Sequence, residues 1–404
     1  MNVMELFAGV GGFRLGLERS DKEYFNTVYM NQWEPGVKTQ GAFNCYKDNF
    51  KSGVMSNEDI GKVDEKSFEN MNIDLIVGGF PCQDYSVAKS TKGKQGIEGK
   101  KGVLFWDIVR LVREIKPKNI LLENVDRLLI TPAEQRGRDF AIMLASFRDL
   151  GYYVEWRVID ASHYGGDQSR KRVFIYAVKE GEYFADKLKK DEPYKSIYEG
   201  GFFSPMFSVM DTIVPLKLKG KELGKDIVEI SDTFKGNFKN AGIMVDGKYY
   251  TVRVKTKRKN RGKLENVLEE EVSDKYYLTE DEIKRFKYLR GKKEIERVTS
   301  EGFKYLYKEG KMSEVDKLHK PSRTILTSEG TVNRTTHIIK DNKGIRYLTP
   351  LECERLNNFP DNWTEGIPER MRYFTMGNAL DVNLIERMGK RLKEISQIEV
   401  ERVL

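Results

Sequence analysis

Short apolar runs and one-faced helical patterns alternate along roughly the first 180 residues of the chain. Between the runs, residues 104–115 and 138–150 space their apolar side chains three and four apart, which predicts helices with one apolar face. This alternation predicts a doubly wound, mostly parallel α/β sheet with helices on both faces, in which ligands bind beyond the carboxyl ends of the strands. The runs, each typical of a strand, are residues 3–7, 27–31, 75–77, 120–122, 153–158 and 172–177.

The pattern changes after about residue 185. The segment "GIMVDGKYYTVRV" predicts a hairpin, because Asp246 and Gly247 supply the positive φ values of a tight turn. Helical signals return in the capping boxes that begin at Thr279 and Thr349, and the tail "NALDVNLIERMGKRLKEI" predicts an amphipathic helix. We therefore predict a catalytic domain over residues 1–185, a second, smaller mixed domain over 186–345, and a return to the catalytic domain over 346–404.

The composition narrows the class of protein. Of the 404 residues, 39% are apolar and 11% aromatic, which is enough to fill a sizeable core. No eighteen-residue apolar stretch and no basic leader occur, so we expect a cytoplasmic protein without a membrane span. The three cysteines and three histidines are scattered, which argues against disulfides and against a metal site.

Charge gives a weaker indication of the partner. Lys and Arg total 70 against 62 for Asp and Glu, a net charge of +8. Residues 252–263, "VRVKTKRKNRGK", hold seven basic side chains and no carboxylate. Taken alone, such a run is more simply a solvated loop, and it indicates a polyanionic partner only if the rest of the chain calls for one.

The first predicted strand runs into the glycine-rich "FAGVGGFRLGLE", and the second ends in "NQWEP". Gly9, Gly11 and Gly12 allow a sharp turn and a close approach to a ligand, although a glycine loop alone is also an ordinary strand–helix turn. Polar side chains beside Trp33, with the later "NEDI", could bind a ribose and an adenine. Together these segments predict an adenosine-containing cofactor.

Reactive side chains follow other predicted strands. Cys82 lies in "GGFPCQDYS" just after a strand, where an activated thiol and an inert loop cysteine are equally good interpretations. Glu123 ends the next strand, and a carboxylate at that position should bind something. Arg170 and Arg172, in "GGDQSRKR", offer planar donors for a base carbonyl or a phosphate.

Together, these segments resemble the cytosine-5 DNA methyltransferase family, of the type found in bacterial restriction-modification systems. The resemblance covers residues 3 to about 177 and about 322 to 389, and leaves the middle of the chain unmatched. Two positions depart from the family pattern: Gln32 replaces an acidic residue, which leaves open whether Gln32 or Glu34 binds the ribose, and Asp167 replaces a proline. The matching blocks, in family order, are "LFAGVGGFRLGLE", "NQWE", "NEDI", "GGFPCQ", "GVLFWDI", "ENV", "QSRKR", "RTIL", "LTPLECERLNNFP" and "GNALDVNLIERMG".

The resemblance implies a Rossmann-like fold and transfer of a methyl group from S-adenosylmethionine to carbon 5 of cytosine. Cys82 would attack carbon 6, Glu123 would protonate ring nitrogen 3, and Arg172 would hold the cytosine carbonyl. Arg170 and Ser86 would lie near the base or its phosphates. The resemblance and the glycine loop together assign to the cofactor site Phe7, Gly9, Gly11, Gly12, Gln32, Trp33, Glu34, Asp59, Ile60, Pro81, Leu104, Asn378 and Ala379.

The substrate implied is a cytosine flipped out of double-stranded DNA. Residues 86–102, rich in Gly and Lys and including Lys89, would form a flap that touches phosphates, and the unmatched middle segment would be the target recognition domain. The basic run then has a purpose, and we assign DNA binding to Ser86, Lys89, Arg253, Lys255, Lys257 and Arg258.

We therefore expect a monomeric DNA methyltransferase whose cognate restriction endonuclease is genetically linked but not necessarily bound. A transfer RNA methyltransferase of the same fold is the near rival, and the large basic insertion favours DNA. A nucleotide-dependent oxidoreductase would need a partner for its redox cysteine, and none is evident. A catalytically silent DNA-binding protein is disfavoured because Cys82, Glu123 and Arg172 are all present.

Overall fold

The computed structural model describes residues 1–80, 104–210, 217–257, 262–298 and 302–403. Its main sheet contains β1 Asn2–Leu6, β2 Asn26–Asn31, β3 Val54–Ser56, β4 Leu75–Gly79, β5 Asn119–Val125, β6 Tyr152–Asp160, β7 Lys171–Lys179, β8 Lys221–Glu222, β9 Ala241–Val245 and β10 Lys248–Val252. The strand order is β3-β2-β1-β4-β5-β7-β6-β9-β10-β8. Neighbours from β3 to β5 are parallel, whereas β7 lies antiparallel between β5 and β6. The predicted mostly parallel core sheet is confirmed.

Two small ribbons, eleven α-helices and seven short 3₁₀ or π helices complete the described part of the chain. The ribbons pair β11 Lys293–Val298 with β12 Lys304–Glu309, and β13 Ile338–Lys340 with β14 Ile345–Tyr347. The α-helices are α1 Gly12–Asp21, α2 Gly41–Asn49, α3 Leu104–Ile115, α4 Arg138–Asp149, α5 Tyr183–Lys190, α6 Pro193–Lys195, α7 Ile227–Thr233, α8 Glu280–Arg290, α9 Pro350–Leu356, α10 Glu369–Asn378 and α11 Val382–Val403. None of these helices is long and apolar enough to cross a membrane.

Apolar side chains on both faces of the sheet form the core. Helix α3 buries Phe105, Ile108 and Leu111 against one face, together with α4. Helices α1, α5 and α11 contribute to a second apolar cluster with residues of the sheet. Ile120 in β5 belongs to the first cluster and the adjacent Leu121 to the second, as the two-residue period of a strand requires. The sheet is therefore covered on both sides, and its strand ends are left to build the site.

The hairpin predicted around Asp246 and Gly247 is confirmed, since both residues have positive φ and β9 pairs with β10. Its location differs from the prediction. Placing a domain boundary at residue 186 assigns this hairpin to a second domain, whereas in the structure β9 pairs with β6 and lengthens the main sheet. Gly242 permits this pairing, because a side chain there would collide with the ring of the buried Trp156 directly opposite.

The carboxyl-terminal part of the chain packs against the first strand and helix. Helix α11 packs against α1, where Gly16 lies so close to Ile385 that a β-carbon would clash. Leu380, just before α11, would lie 3.0 Å from a β-carbon on Gly12. Residues after 346 thus pack directly on the first strand–helix unit, beside the glycine loop.

Candidate active site

The carboxyl ends of β1, β4 and β5 lie side by side and form the centre of the site. Leu6 pairs with Gly78, and Gly79 pairs with Glu123. Gly79 leaves room for the Glu123 carboxylate, since a β-carbon there would lie 3.1 Å from Oε2. The structure therefore places Glu123 directly beside the strand that leads into the Pro-Cys segment.

The buried Glu123 forms an ion pair with the partly buried Arg172. Arg172 begins β7 opposite Val125, and its Nε lies 2.7 Å from Oε1 of Glu123. Burial raises the pKa of Glu123, while the charges of Arg172 and Arg170 act in the opposite direction. The net result is a raised pKa, which suits a carboxyl group that must hold a proton and then donate it.

Asn124, the middle residue of the "ENV" block, fixes the end of β4. Its side-chain amide donates a 2.8 Å hydrogen bond to the carbonyl of Phe80, the last described residue before the Pro-Cys segment. The predicted site residues Pro81, Cys82, Ser86 and Lys89, and the predicted flap over 86–102, lie outside the described residues.

The other two cysteines are buried and poorly suited to nucleophilic chemistry. Burial raises the pKa of Cys45 to about 12 and that of Cys353 well above its usual range. Nearby carboxylates act in the same direction in both cases. A thiolate at either position is strongly disfavoured, so both cysteines serve as packing residues.

Arg170 lies close enough to Glu123 for its charge to act on that carboxyl group, but its guanidinium is enclosed by the chain. Its side chain is only 1% exposed, and it donates to the backbone carbonyls of Ile325 (3.4 Å) and Gly377 (3.0 Å). Burial lowers its pKa to about 9, with the charge of Arg172 acting in the same direction. A guanidinium enclosed in this way has no access to a phosphate, so Arg170 links the loop before β7 to the carboxyl-terminal part of the chain.

Gln168 makes the same connection. Its amide nitrogen donates to Oδ1 of Asn357 at 3.0 Å, and its oxygen accepts the N–H of Ile325 at 2.9 Å. The "QSRKR" block thus joins two segments that lie more than 150 residues away along the chain.

The glycine loop joins β1 to α1, and Phe7, Gly9 and Gly11 all have positive φ. The N–H of Gly9 donates to Oε1 of Gln32 at 2.8 Å, so Gln32 supports the loop from β2. Gln32 is 8% exposed, whereas no described residue bonds the carboxylate of Glu34, whose pKa is raised by partial burial. Of the two polar side chains in "NQWE", Glu34 is the one that remains available to a ligand.

The remaining predicted cofactor residues border the same edge. Trp33 is 38% exposed and follows β2, and Ile60 is buried just after β3. Asp59 accepts a hydrogen bond from the N–H of Gly61, and its charge contributes to the raised pKa of Asp107 in α3. Leu104 begins α3 and is partly buried, and Asn378 and Ala379 precede the Leu380 that contacts the glycine loop.

The described part of the basic run lies beside the loop that leads to Arg172. Val254 is buried, Thr256 bonds Nδ1 of His163 at 2.8 Å, and Arg253, Lys255 and Lys257 alternate with them and are exposed. Within the described ranges, none of these three cations is paired with a carboxylate. They form an exposed basic ladder, whereas the fourth predicted cation, Arg258, lies outside the described residues.

Asp167, the departure from the family proline, holds the far end of the basic run. Its Oδ1 accepts the backbone N–H of Lys263 and the side-chain amide of Asn266, both at 2.7 Å. Its backbone carbonyl accepts the N–H of Ser322 at 2.8 Å. No sequence signal could have identified these contacts, because they join residues about 100 and 155 positions apart.

This arrangement can be compared with known proteins. The chain matches the family model of the C-5 cytosine-specific DNA methylases over residues 1–394. It belongs to this family. It is 50% identical to the Type II methyltransferase M.Sau3AI of Staphylococcus aureus, over 98% of this chain and 97% of that protein. The predicted family and the predicted enzyme class, a DNA (cytosine-5-)-methyltransferase, are confirmed.

Solved structures of methyltransferases share the fold of this family member. A DNMT2 variant of Spodoptera frugiperda has a TM-score of 0.59 at 16% identity, over 98% of each chain. The methyltransferase EhMeth of Entamoeba histolytica has a TM-score of 0.55 at 17% identity, again over 98% of each chain. The predicted Rossmann-like methyltransferase fold is thus confirmed.

Proposed function

We propose that Cys82, Glu123 and Arg172 carry out the methylation of cytosine at carbon 5 in duplex DNA. The observation that carries this proposal is the Glu123–Arg172 ion pair at the end of β5, next to the strand end that leads to Cys82. In the free enzyme the pair neutralises a charge that would be costly to bury alone. The polar edge of an entering cytosine would bond the same two side chains.

Cys82 would form a bond to carbon 6 of the ring, while the carboxyl group of Glu123 donates its proton to ring nitrogen 3. Carbon 5 then has the nucleophilic character of an enamine. Nη2 of Arg172, which has no hydrogen-bond partner among the described residues, would donate to the cytosine carbonyl. Once carbon 5 has taken the methyl group, loss of its proton to solvent would expel the thiolate of Cys82, and ring nitrogen 3 would return its proton to the carboxylate of Glu123.

The edge between β1 and β2 fits S-adenosylmethionine, which supplies an electrophilic methyl group when bound. Three features support the fit: the positive-φ loop around Gly9 and Gly11, the exposed Trp33 ring, and the unbonded carboxylate of Glu34. Because Gln32 already bonds Gly9, we assign the ribose hydroxyls to Glu34.

We assign target recognition to the middle of the chain. The main sheet takes up the segment as far as Val252, so we place the recognition region after β10, up to about residue 345. The exposed basic ladder of Arg253, Lys255 and Lys257 supports the assignment of phosphate contacts to the surface beside the loop that leads to Arg172. The name of M.Sau3AI supports a role in a restriction-modification system, with host DNA protected in the cytoplasm from a genetically linked endonuclease.

Bisulfite sequencing of a plasmid treated with the purified protein and S-adenosylmethionine tests the product and the target together. We expect conversion-resistant cytosines in one short recurring sequence. A parallel assay with transfer RNA tests the rival substrate. Methyl transfer to RNA and none to duplex DNA would contradict the proposal.

A further inference from the structure

The ribbon of β11 and β12 stands out because both of its faces are exposed. Val298 is 61% exposed, Tyr305 46% and Leu306 47%, and Ile295 is exposed as well. Isolated two-stranded hairpins are only marginally stable in water, and contiguous exposed apolar surface usually marks a binding site. The ribbon therefore presents side chains that the described part of this chain does not cover.

The base of the ribbon is nevertheless held rigidly. The guanidinium of Arg334 donates to the carbonyls of Leu289 and Gly291 on one side and of Gly310 on the other, which closes the two ends together. Arg290, only 2% exposed, bonds Asp316 at 2.8 Å. A ribbon that is hydrogen-bonded at its base and exposed along its strands is suited to insertion into a partner.

The hydrogen bonds at the base of the ribbon connect to the loop before β7, which carries Ser169 and leads to Arg172. Asp316, which binds Arg290, also accepts from Nε of Arg323 at 2.9 Å. The residue before Arg323, Ser322, accepts the N–H of Ser169 at 2.8 Å, within the "QSRKR" block. The base of the ribbon and the segment that carries Arg172 therefore belong to one continuous hydrogen-bonded framework.

Charge is distributed unevenly along the ribbon. Near the base, Lys293 pairs with Glu309 and Glu294 lies opposite Lys308, so the charges cancel. Farther out, Arg297 lies opposite Tyr305, Lys304 opposite Val298 and Glu296 opposite Leu306, so two cations stand against one carboxylate in this half of the ribbon. The guanidinium of Arg297 lies 3.9 Å from the centre of the Tyr307 ring, which holds its planar fork in place without neutralising it.

We propose that this ribbon enters the major groove of the target duplex and that Arg297 and Tyr305 contact base edges there; this inference rests on the function proposed above. The major groove, about 12 Å wide, admits a two-stranded ribbon, and arginine is the commonest side chain in specific contacts with guanine. The exposed apolar side chains suit the methyl groups of thymine and the aromatic faces of bases. The basic ladder would hold the phosphates while the ribbon reads the sequence.

The test compares Arg297→Ala/Tyr305→Ala with a matched control, Lys47→Ala/Val54→Ala. Both control residues are exposed and lie outside the ribbon, on α2 and on β3 at one edge of the main sheet. After bisulfite sequencing has identified the site of the wild-type enzyme, kcat/KM is measured on a duplex with that site and on duplexes with single base substitutions. We expect the ribbon variant to lose about tenfold or more of the preference for the correct site. The control should keep it, and both should bind S-adenosylmethionine like the wild type.

Arg297→Lys provides a second test that does not depend on the double variant folding. It keeps the charge but removes the planar fork, so we expect discrimination at the contacted base to fall while the salt dependence of DNA binding stays the same. Wild-type discrimination in both ribbon variants would overturn the proposal. So would a wild-type dimer that the double variant abolishes without loss of discrimination, since a second copy of this chain would then be the partner. If the wild-type enzyme methylates no duplex, the proposed function fails instead.

Discussion

At the scale of single residues, the environment of Glu123 determines its chemistry. The carboxyl group is buried beside Arg172, and burial outweighs the two arginines in setting the direction of its pKa. The protonated form therefore persists to higher pH than in an exposed glutamate. Glu123 can therefore serve as the proton donor without a histidine in this role.

We expect Glu123→Gln to lower the single-turnover rate of methyl transfer by about 10² to 10⁴, because the amide cannot donate the proton. Binding of S-adenosylmethionine should be retained, and the exposed Glu134→Gln serves as the control. The wild-type rate should fall as pH rises through the raised pKa of Glu123, and the variant should lack that step. An unchanged rate in the variant would assign proton donation to another group.

At the scale of elements, Glu5 joins the first strand to two helices. It is fully buried in β1, accepts the N–H of Arg14 in α1 at 3.3 Å, and accepts the hydroxyl of Tyr46 in α2 at 2.9 Å. Burial raises the pKa of Glu5 to about 7. Above that pH, the unit that carries the glycine loop contains a buried carboxylate.

This pKa predicts a pH-dependent stability. The pKa of Glu5 is higher in the folded state than in the unfolded state. Its contribution to the stability of the folded state is therefore fully present below about pH 4.5 and is lost as pH rises through about 7. Between pH 5 and pH 8 the free energy of unfolding of the wild type should fall by about 2.5 kcal/mol more than that of Glu5→Gln. Urea unfolding at the two pH values measures this, with the exposed Glu23→Gln as control. Equal losses in the wild type and Glu5→Gln would show that Glu5 ionises normally.

The basic ladder acts as an element because its strand-like alternation directs three cations to one exposed face. Replacing Arg253, Lys255 and Lys257 by Gln should weaken DNA binding. If all three contact phosphates, the slope of log K against log salt should become shallower by about 2.7. The control replaces the exposed Lys22, Lys47 and Lys51 by Gln. An unaltered slope in the ladder variant would show that the basic run is a solvated loop that does not contact phosphates.

At the scale of the whole molecule, local patterns predict the architecture well. Apolar runs locate β1, β2, β4, β5, β6 and β7 to within a few residues, because a strand buried on both faces needs an uninterrupted apolar run. The apolar spacing predicts helix α3 with the observed ends, Leu104 and Ile115. The carboxyl edge of the sheet, and Glu123 on it, follow from these elements.

What local patterns miss depends on contacts between distant residues. The pairing of β9 with β6 depends on Gly242 admitting the Trp156 ring, and no local pattern contains that contact. The burial of Arg170 depends on carbonyls at Ile325 and Gly377, and an arginine in a loop is otherwise expected to be exposed. Gln32 is bonded to the glycine loop only because β1 and β2 are neighbours.

The central claim is that Cys82 forms a transient covalent bond to the cytosine it methylates. A duplex with 5-fluorocytosine at the methylated position tests it, because fluorine at carbon 5 cannot leave as the proton does. With S-adenosylmethionine present, we expect a denaturation-resistant complex whose peptide map places the base on Cys82, and none with Cys82→Ser. A wild-type enzyme that methylates the ordinary duplex but forms no such complex, or forms it through Cys45 or Cys353, would contradict the mechanism.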